Sequence, residues 1–151
     1  MSSNPPFSNP DAASLCRELA AVRVMAVVGL SPDETRPSHR IARAMQRHGF
    51  RIVPVRPRSD SILGERAVAG LRDLPGPVDL VNVFRQGSAI DDIVDDCLAL
   101  ALPRLWIQEG ILNSPAACRA AAGGIWTVMD RCILRDFNGL CGGSRAGSTA
   151  Q

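Results

Sequence analysis

Arg56 and Arg58 stand on either side of Pro57, directly after the apolar run 51–55. Guanidinium forks of this kind match phosphate oxygens in a bidentate way. No carboxylate follows until Asp60, so nothing there would bond the free hydroxyls of a ribose. A second group surrounds Gly29, which closes the apolar run 26–28 and is followed by Ser31, Pro32, Arg36, Pro37 and Ser38. Backbone amides, hydroxyls and one more guanidinium can receive an anion. Ser31 stands where a G-x-G-x-x-G loop would put its second glycine, the one that lets a pyrophosphate approach the backbone. The solvated-surface reading of these residues stays open at this level.

These residues need elements to bring them together. Helical spacing of Leu15 and Leu19 predicts a helix over 11–21, with Asp11 as its N-cap. A strand follows at 23–29, a helix at 38–48 stopped by Gly49, and a strand at 51–55. Residues 62–77 form a connector with a short strand or helical turn. Further strands are expected at 79–84, 104–108 and 125–129, and helices at 88–102 and 114–122, the latter with Ser114 as N-cap and Pro115 first. Continuous apolar strands alternating with helices imply a doubly wound parallel five-stranded sheet, an α/β fold in three layers, α/β/α. The expected strand order is 3-2-1-4-5. Ligands of such sheets bind beyond the carboxyl ends of the strands, at the switch point. Phe84-Arg85, Gln108-Glu109 and the 129–132 stretch therefore join the two groups above as candidates.

The chain of 151 residues carries a net charge of +2, with no basic block to suggest a nucleic-acid partner. No apolar run approaches the ~20 residues of a membrane span, and no signal peptide is evident, so a cytoplasmic protein is expected. One domain over 11–137 is predicted, between flexible ends at 1–10 and 138–151. The five cysteines lack C-x-x-C spacing. They are read as reduced, mostly buried thiols, and no metal site is expected. The basic end of the second strand favours a phosphorylated ribose, which NADP and coenzyme A both offer; the first loop disfavours NADP.

Six fragments in order, VVGLSPDETRPS, IVPVRP, LGERA, VDLVNVFR, WIQEGILN and VMDRC, resemble the small bacterial CoA-binding proteins, relatives of the CoA-binding domain of the succinyl-CoA synthetase α subunit. The resemblance covers roughly residues 14–135. It implies a Rossmann-like domain with coenzyme A against Gly29, Ser31, Pro32, Arg36, Pro37 and Ser38. It implies Val55, Arg56 and Pro57 beside the adenosine half. Val83, Phe84 and Arg85, then Ile107, Gln108 and Glu109, would flank the ligand further along. Arg56 replaces an Asn common in such relatives, Asn82 an Asp, and Glu109 an apolar residue.

No catalytic constellation accompanies these residues. His48 is read as a helix-end residue, and His39 as a cap or a ligand neighbour. Cys132 beside Arg131 is read as a buried apolar filler or as a reactive thiol. Asp91, Asp92, Asp95 and Asp96 fit a solvated helix face. Trp106 and Trp126 are assigned to the core. Asp130 and Arg131 are read as a structural ion-pair region or as ligand contacts. The resulting expectation is a stand-alone binder of coenzyme A or an acyl-CoA. The alternatives are an NADP-binding oxidoreductase and a detached ligase-type subunit acting through a partner chain.

Overall fold

The computed structural model describes residues 6–144. Five parallel strands form the main sheet: β1 (Val24–Val28), β2 (Arg51–Val55), β5 (Leu80–Val83), β6 (Arg104–Gln108) and β7 (Trp126–Arg131). Between β2 and β5 lie the two-residue strands β3 (Ser61–Ile62) and β4 (Glu65–Arg66), paired antiparallel, and a 3₁₀ turn over Leu71–Asp73. The helices are α1 (Ala12–Ala21), α2 (Pro37–Arg47), α3 (Ile90–Ala99), α4 (Ser114–Ala122) and α5 (Ile133–Cys141).

Alternation along the strands makes two cores. Ala26, Val28, Val81, Val83, Leu105 and Ile107 pack under α3 and α4. Met25, Val27, Ile52, Leu80, Trp106 and Val128 pack under α1, α2 and α5. Trp106 is fully buried, whereas Trp126 is half-buried and donates its indole N–H to Ser14 Oγ at 3.0 Å.

The observed sheet order is β2-β1-β5-β6-β7, which corrects the expected 3-2-1-4-5. The third long strand lies beside the first, so the order is 2-1-3-4-5. Asp79 explains this placement: its carboxylate accepts the backbone N–H groups of Arg23 and Val24, both at 2.9 Å, which fixes the entrance of β5 against that of β1. The outer edge of β2 is occupied by Val68, which bridges Val55 and exchanges hydrogen bonds with Pro54 and Arg56.

Other expectations shift by physical detail. Asp11 caps α1 by accepting from Ser14 N. The N-cap of α4 is Asn113 and not Ser114, because the Asn113 carbonyl oxygen accepts from Ala116 N at 3.1 Å. Cys16 and Cys141, expected as thiols, form a disulfide between α1 and α5. Cys97 is a buried thiol, while Cys118 and Cys132 are half-buried. The expected boundary at 137 falls inside α5, held by Ile133 and Phe137 in the core. Residues 6–10, expected to be loose, include Asn9, whose side chain pairs with the backbone of Met129 in both directions at 2.8 Å. Residues 1–5 and 145–151 of the expected flexible ends lie outside the described residues. Among the described residues, no helix is long and apolar enough to cross a membrane.

Candidate functional site

β1 and β5 are adjacent strands whose connections leave on opposite sides, so the switch point lies between them. A cleft of about 660 Å³ opens at this point, beyond the carboxyl ends of β1, β5 and β6. Gly29 forms its floor. Its φ of +85° falls in the left-handed region, and a Cβ there would sit 2.6 Å from the Phe84 carbonyl oxygen. Its N–H donates to Val55 O at 2.9 Å, which ties the ends of β1 and β2 together.

The loop after Gly29 is folded on itself. Ser31 N donates to Ser38 Oγ at 3.0 Å, and Ser31 Oγ accepts from Asp33 N at 3.1 Å. His39, 6 % exposed, has Nδ1 at 2.9 Å from the Ser31 carbonyl, which can only accept, so Nδ1 carries the proton. His39 thus shapes the loop. Asp33 takes hydrogen bonds from the Thr35 backbone and hydroxyl, which hold its carboxyl below the usual range.

Ten of the expected site residues line this cleft: Gly29, Ser31, Arg36, Pro37 and Ser38 from the first loop and α2, then Arg56, Phe84, Arg85, Gln108 and Glu109. Val55 and Pro57 line an adjoining cavity of about 450 Å³, which shares Gly29, Arg56, Phe84 and Arg85 with the cleft. Four expected residues line neither cavity. Val83 and Ile107 are fully buried under α3 and α4, since strand alternation turns Phe84 and Gln108 toward the cleft instead. Pro32 is exposed on the loop, and Arg58 is exposed at a turn with φ of +63°. The two arginines therefore separate: Arg56 is half-buried, and its Nη1 donates to Leu30 O at 3.4 Å.

Arg36, Arg56, Arg85 and Arg135 bring four guanidiniums to the cleft against one carboxylate, Glu109. Glu109 pairs with Arg135 across it, and this hydrogen bond holds the Glu109 carboxyl below the ordinary glutamate range. Gln108 is 3 % exposed and donates from Nε2 to Asn82 Oδ1 at 2.9 Å. Asn82 in turn points its amide at Met25 sulfur, 3.8 Å away.

Residues that sequence reasoning left out of the site are Ile41, Ile111 and Arg135, while Gln86 and Cys132, which follow strands, also line the cleft. Arg135 sits on α5; the spacing of Ile133, Phe137 and Cys141 carried the signal for that helix. A β-bulge positions Cys132. The register passes from Ile107↔Met129 to Gln108↔Arg131, and Asp130 is looped out at φ +62° with its carboxylate on Gly110 N at 2.7 Å. Arg131 forms a two-point ion pair with Asp136, including a 2.8 Å contact, and its carbonyl accepts from Trp106 Nε1 at 2.8 Å. These contacts assign Asp130 and Arg131 to holding the start of α5. His48 is the C-cap of α2, with its ring edge-on to Phe137. Asp91 and Asp95 pair with Arg119 on the exposed face of α3, and Asp96 pairs with Arg72.

Residues 23–138 match the family described as CoA binding domain. The uncharacterized protein YneT of Bacillus subtilis is 38 % identical over 127 residues, 84 % of this chain and 94 % of its own length. The solved structure of cell-free ID.343 from Thermus thermophilus superposes with a TM-score of 0.82 at 35 % identity, covering 87 % of this chain and 99 % of that one. The fold also occurs in a dinucleotide forming acetyl-coenzyme A synthetase 1 of Ca. Korarchaeum cryptofilum, at 20 % identity and a TM-score of 0.60, covering 69 % of this chain and 25 % of the synthetase. With a cleft at the switch point of its wound sheet and a family match over most of its length, this chain belongs to the CoA-binding domain family.

Proposed function

We propose that this protein binds coenzyme A, free or acylated, as a stand-alone, non-catalytic module. The observation that carries this reading is the convergence of four guanidiniums on one cleft around the tight Gly29 turn. Coenzyme A presents a 3′-phosphate and a diphosphate, and charge-assisted contacts to such groups are the strong class of hydrogen bond. In this reading Arg56 meets the 3′-phosphate, and Ser31 and Arg36 meet the diphosphate. The pantetheine arm runs across the ends of β5 and β6 toward Cys132. The non-catalytic reading is supported by how two candidate groups are used. His39 is committed to the Ser31 carbonyl, and Glu109 is committed to Arg135. The same reading puts the chain in the cytoplasm, where the Cys16–Cys141 pairing would be an exception to the usual redox state.

Thermal unfolding with coenzyme A, dephospho-coenzyme A and NADPH tests the proposal. A ligand at 100 times its Kd stabilises a folded protein by about 2.7 kcal/mol, which for a chain of this length corresponds to a rise in Tm of roughly 5–10 °C. Coenzyme A should give that rise, dephospho-coenzyme A a smaller one and NADPH none. A rise with NADPH alone would replace the proposal with the oxidoreductase reading. No rise with any of the three, together with a stable protein complex recovered from cells, would favour the partner-dependent subunit.

A further inference from the structure

We propose that Asp96 selects the base of the nucleotide: its carboxylate accepts the exocyclic N–H of an adenine seated in the cavity beside the cleft. The inference rests on the reading of the cleft as a coenzyme A site and names the side chain that recognises the nucleoside end.

The adjoining cavity of about 450 Å³ has the size of a small-molecule site. Four separate elements supply its apolar wall. Val28 ends β1, Val55 ends β2, Leu71 opens the 3₁₀ turn and Ile93 sits on α3. All four are buried residues that still border the cavity. It meets the cleft at Gly29, Arg56, Phe84 and Arg85, so its open border carries two of the guanidiniums. Among its lining residues Asp96 is the one carboxylate.

Helix α3 carries four aspartates, and their surroundings differ. Asp91 and Asp95 are exposed and pair with Arg119 of α4, and Asp92 is exposed. Asp96 is half-buried and lies three residues after Ile93, on the face that borders the cavity. Arg72, on the 3₁₀ turn, donates from Nε to Asp96 Oδ1 at 3.1 Å. That bond ties the turn to α3 and holds the carboxylate in place. An ionised carboxylate has two acceptor oxygens and no donor, so Oδ2 can take an N–H from a ligand.

The arrangement of charge decides which part of coenzyme A fits here. The Asp96 carboxylate repels a phosphate, and the arginines on the open border attract one. In the proposed pose Arg56 meets the 3′-phosphate, and the pantetheine arm leaves across β5 and β6. The base on the same ribose then lies on the other side of Arg56, where the cavity is. A purine ring presents two flat faces to the apolar wall, and burying them is favourable. The exocyclic amine is the N–H donor on the edge of adenine, and Asp96 is the acceptor that meets it.

Calorimetric titration of the full chain compares coenzyme A with an analogue that has hydrogen in place of the 6-amino group. The unaltered chain should bind coenzyme A at least ten-fold more tightly, the scale of a hydrogen bond to a charged group. Asp96→Ala should bring that ratio near one by weakening coenzyme A and not the analogue; Asp96→Ser takes its place if the alanine variant does not fold. Asp95→Ala removes a charge from the exposed side of the same helix and should keep the full ratio. Equal loss of affinity for both ligands in Asp96→Ala overturns the proposal and makes the Arg72–Asp96 pair a structural tie. A ratio that collapses in Asp95→Ala as well overturns it as a general effect of charge. A ratio near one in the unaltered chain overturns base selection and leaves the coenzyme A reading standing. A chain that binds neither ligand overturns both.

Discussion

Arg56 and Arg58 look alike in sequence, and their surroundings separate them. Arg56 is half-buried and borders both cavities; Arg58 points from an exposed turn. Arg56→Ala should weaken coenzyme A by roughly 1.5–3 kcal/mol, the scale of a hydrogen bond to a charged group, and weaken dephospho-coenzyme A less. Arg58→Ala should leave both affinities unchanged; calorimetric titration of the two variants checks this. Glu109 is the opposing charge. Glu109→Gln should tighten binding roughly two- to five-fold at pH 7, the scale of an exposed ion pair. Because Arg135 holds the Glu109 pKa down, the Glu109–Arg135 attraction is present above the usual glutamate value of about 4.3 and is lost as pH falls below it. The advantage of the Gln variant should shrink over that acid range, as titrations at several pH values would show. The lining of the candidate cleft was legible around the carboxyl ends of the strands, which pointed to Ser31, Arg56, Arg85 and Gln108; Val83 and Ile107, which the family resemblance implied, lie one residue earlier, on the opposite face of the pleat.

At the level of elements, helix and strand periodicity identified the five long strands and four of the five helices. The order of the sheet was not legible, because periodicity contains no information about which strands pair. That information lies in Asp79, whose carboxylate reaches back to the amides of Arg23 and Val24. Asp79→Ala should cost roughly 1.5–3 kcal/mol of stability, measured by urea unfolding, with the same residues still protected in the sheet; a change below 0.5 kcal/mol would remove Asp79 from this role. The other edge of the sheet carries a similar device. The Asn9 amide pairs with both backbone groups of Met129 as a neighbouring strand would, and so covers an open edge. Helix α5 was missed because Gly139 and the glycines at 142 and 143 make the segment read as loose. Its first turn supplies Arg135, so missing the helix also left that guanidinium out of the cleft.

At the scale of the molecule, the two ends of the described chain converge on one face. The disulfide joins residues 125 apart in sequence, and a crosslink that closes so long a loop is worth roughly 2–4 kcal/mol. Unfolding with and without reductant should differ by that amount, and Cys16→Ser with Cys141→Ser should reproduce the reduced behaviour; identical curves would remove the crosslink from the account. The central claim is that the arginine-lined cleft holds one coenzyme A. Native mass spectrometry of the full chain titrated with coenzyme A tests it most directly. The account predicts a single bound coenzyme A per chain, diminished by Arg56→Ala and unaffected by Arg58→Ala. A chain that stays bare at millimolar coenzyme A, or that loads equally well without Arg56, would contradict it.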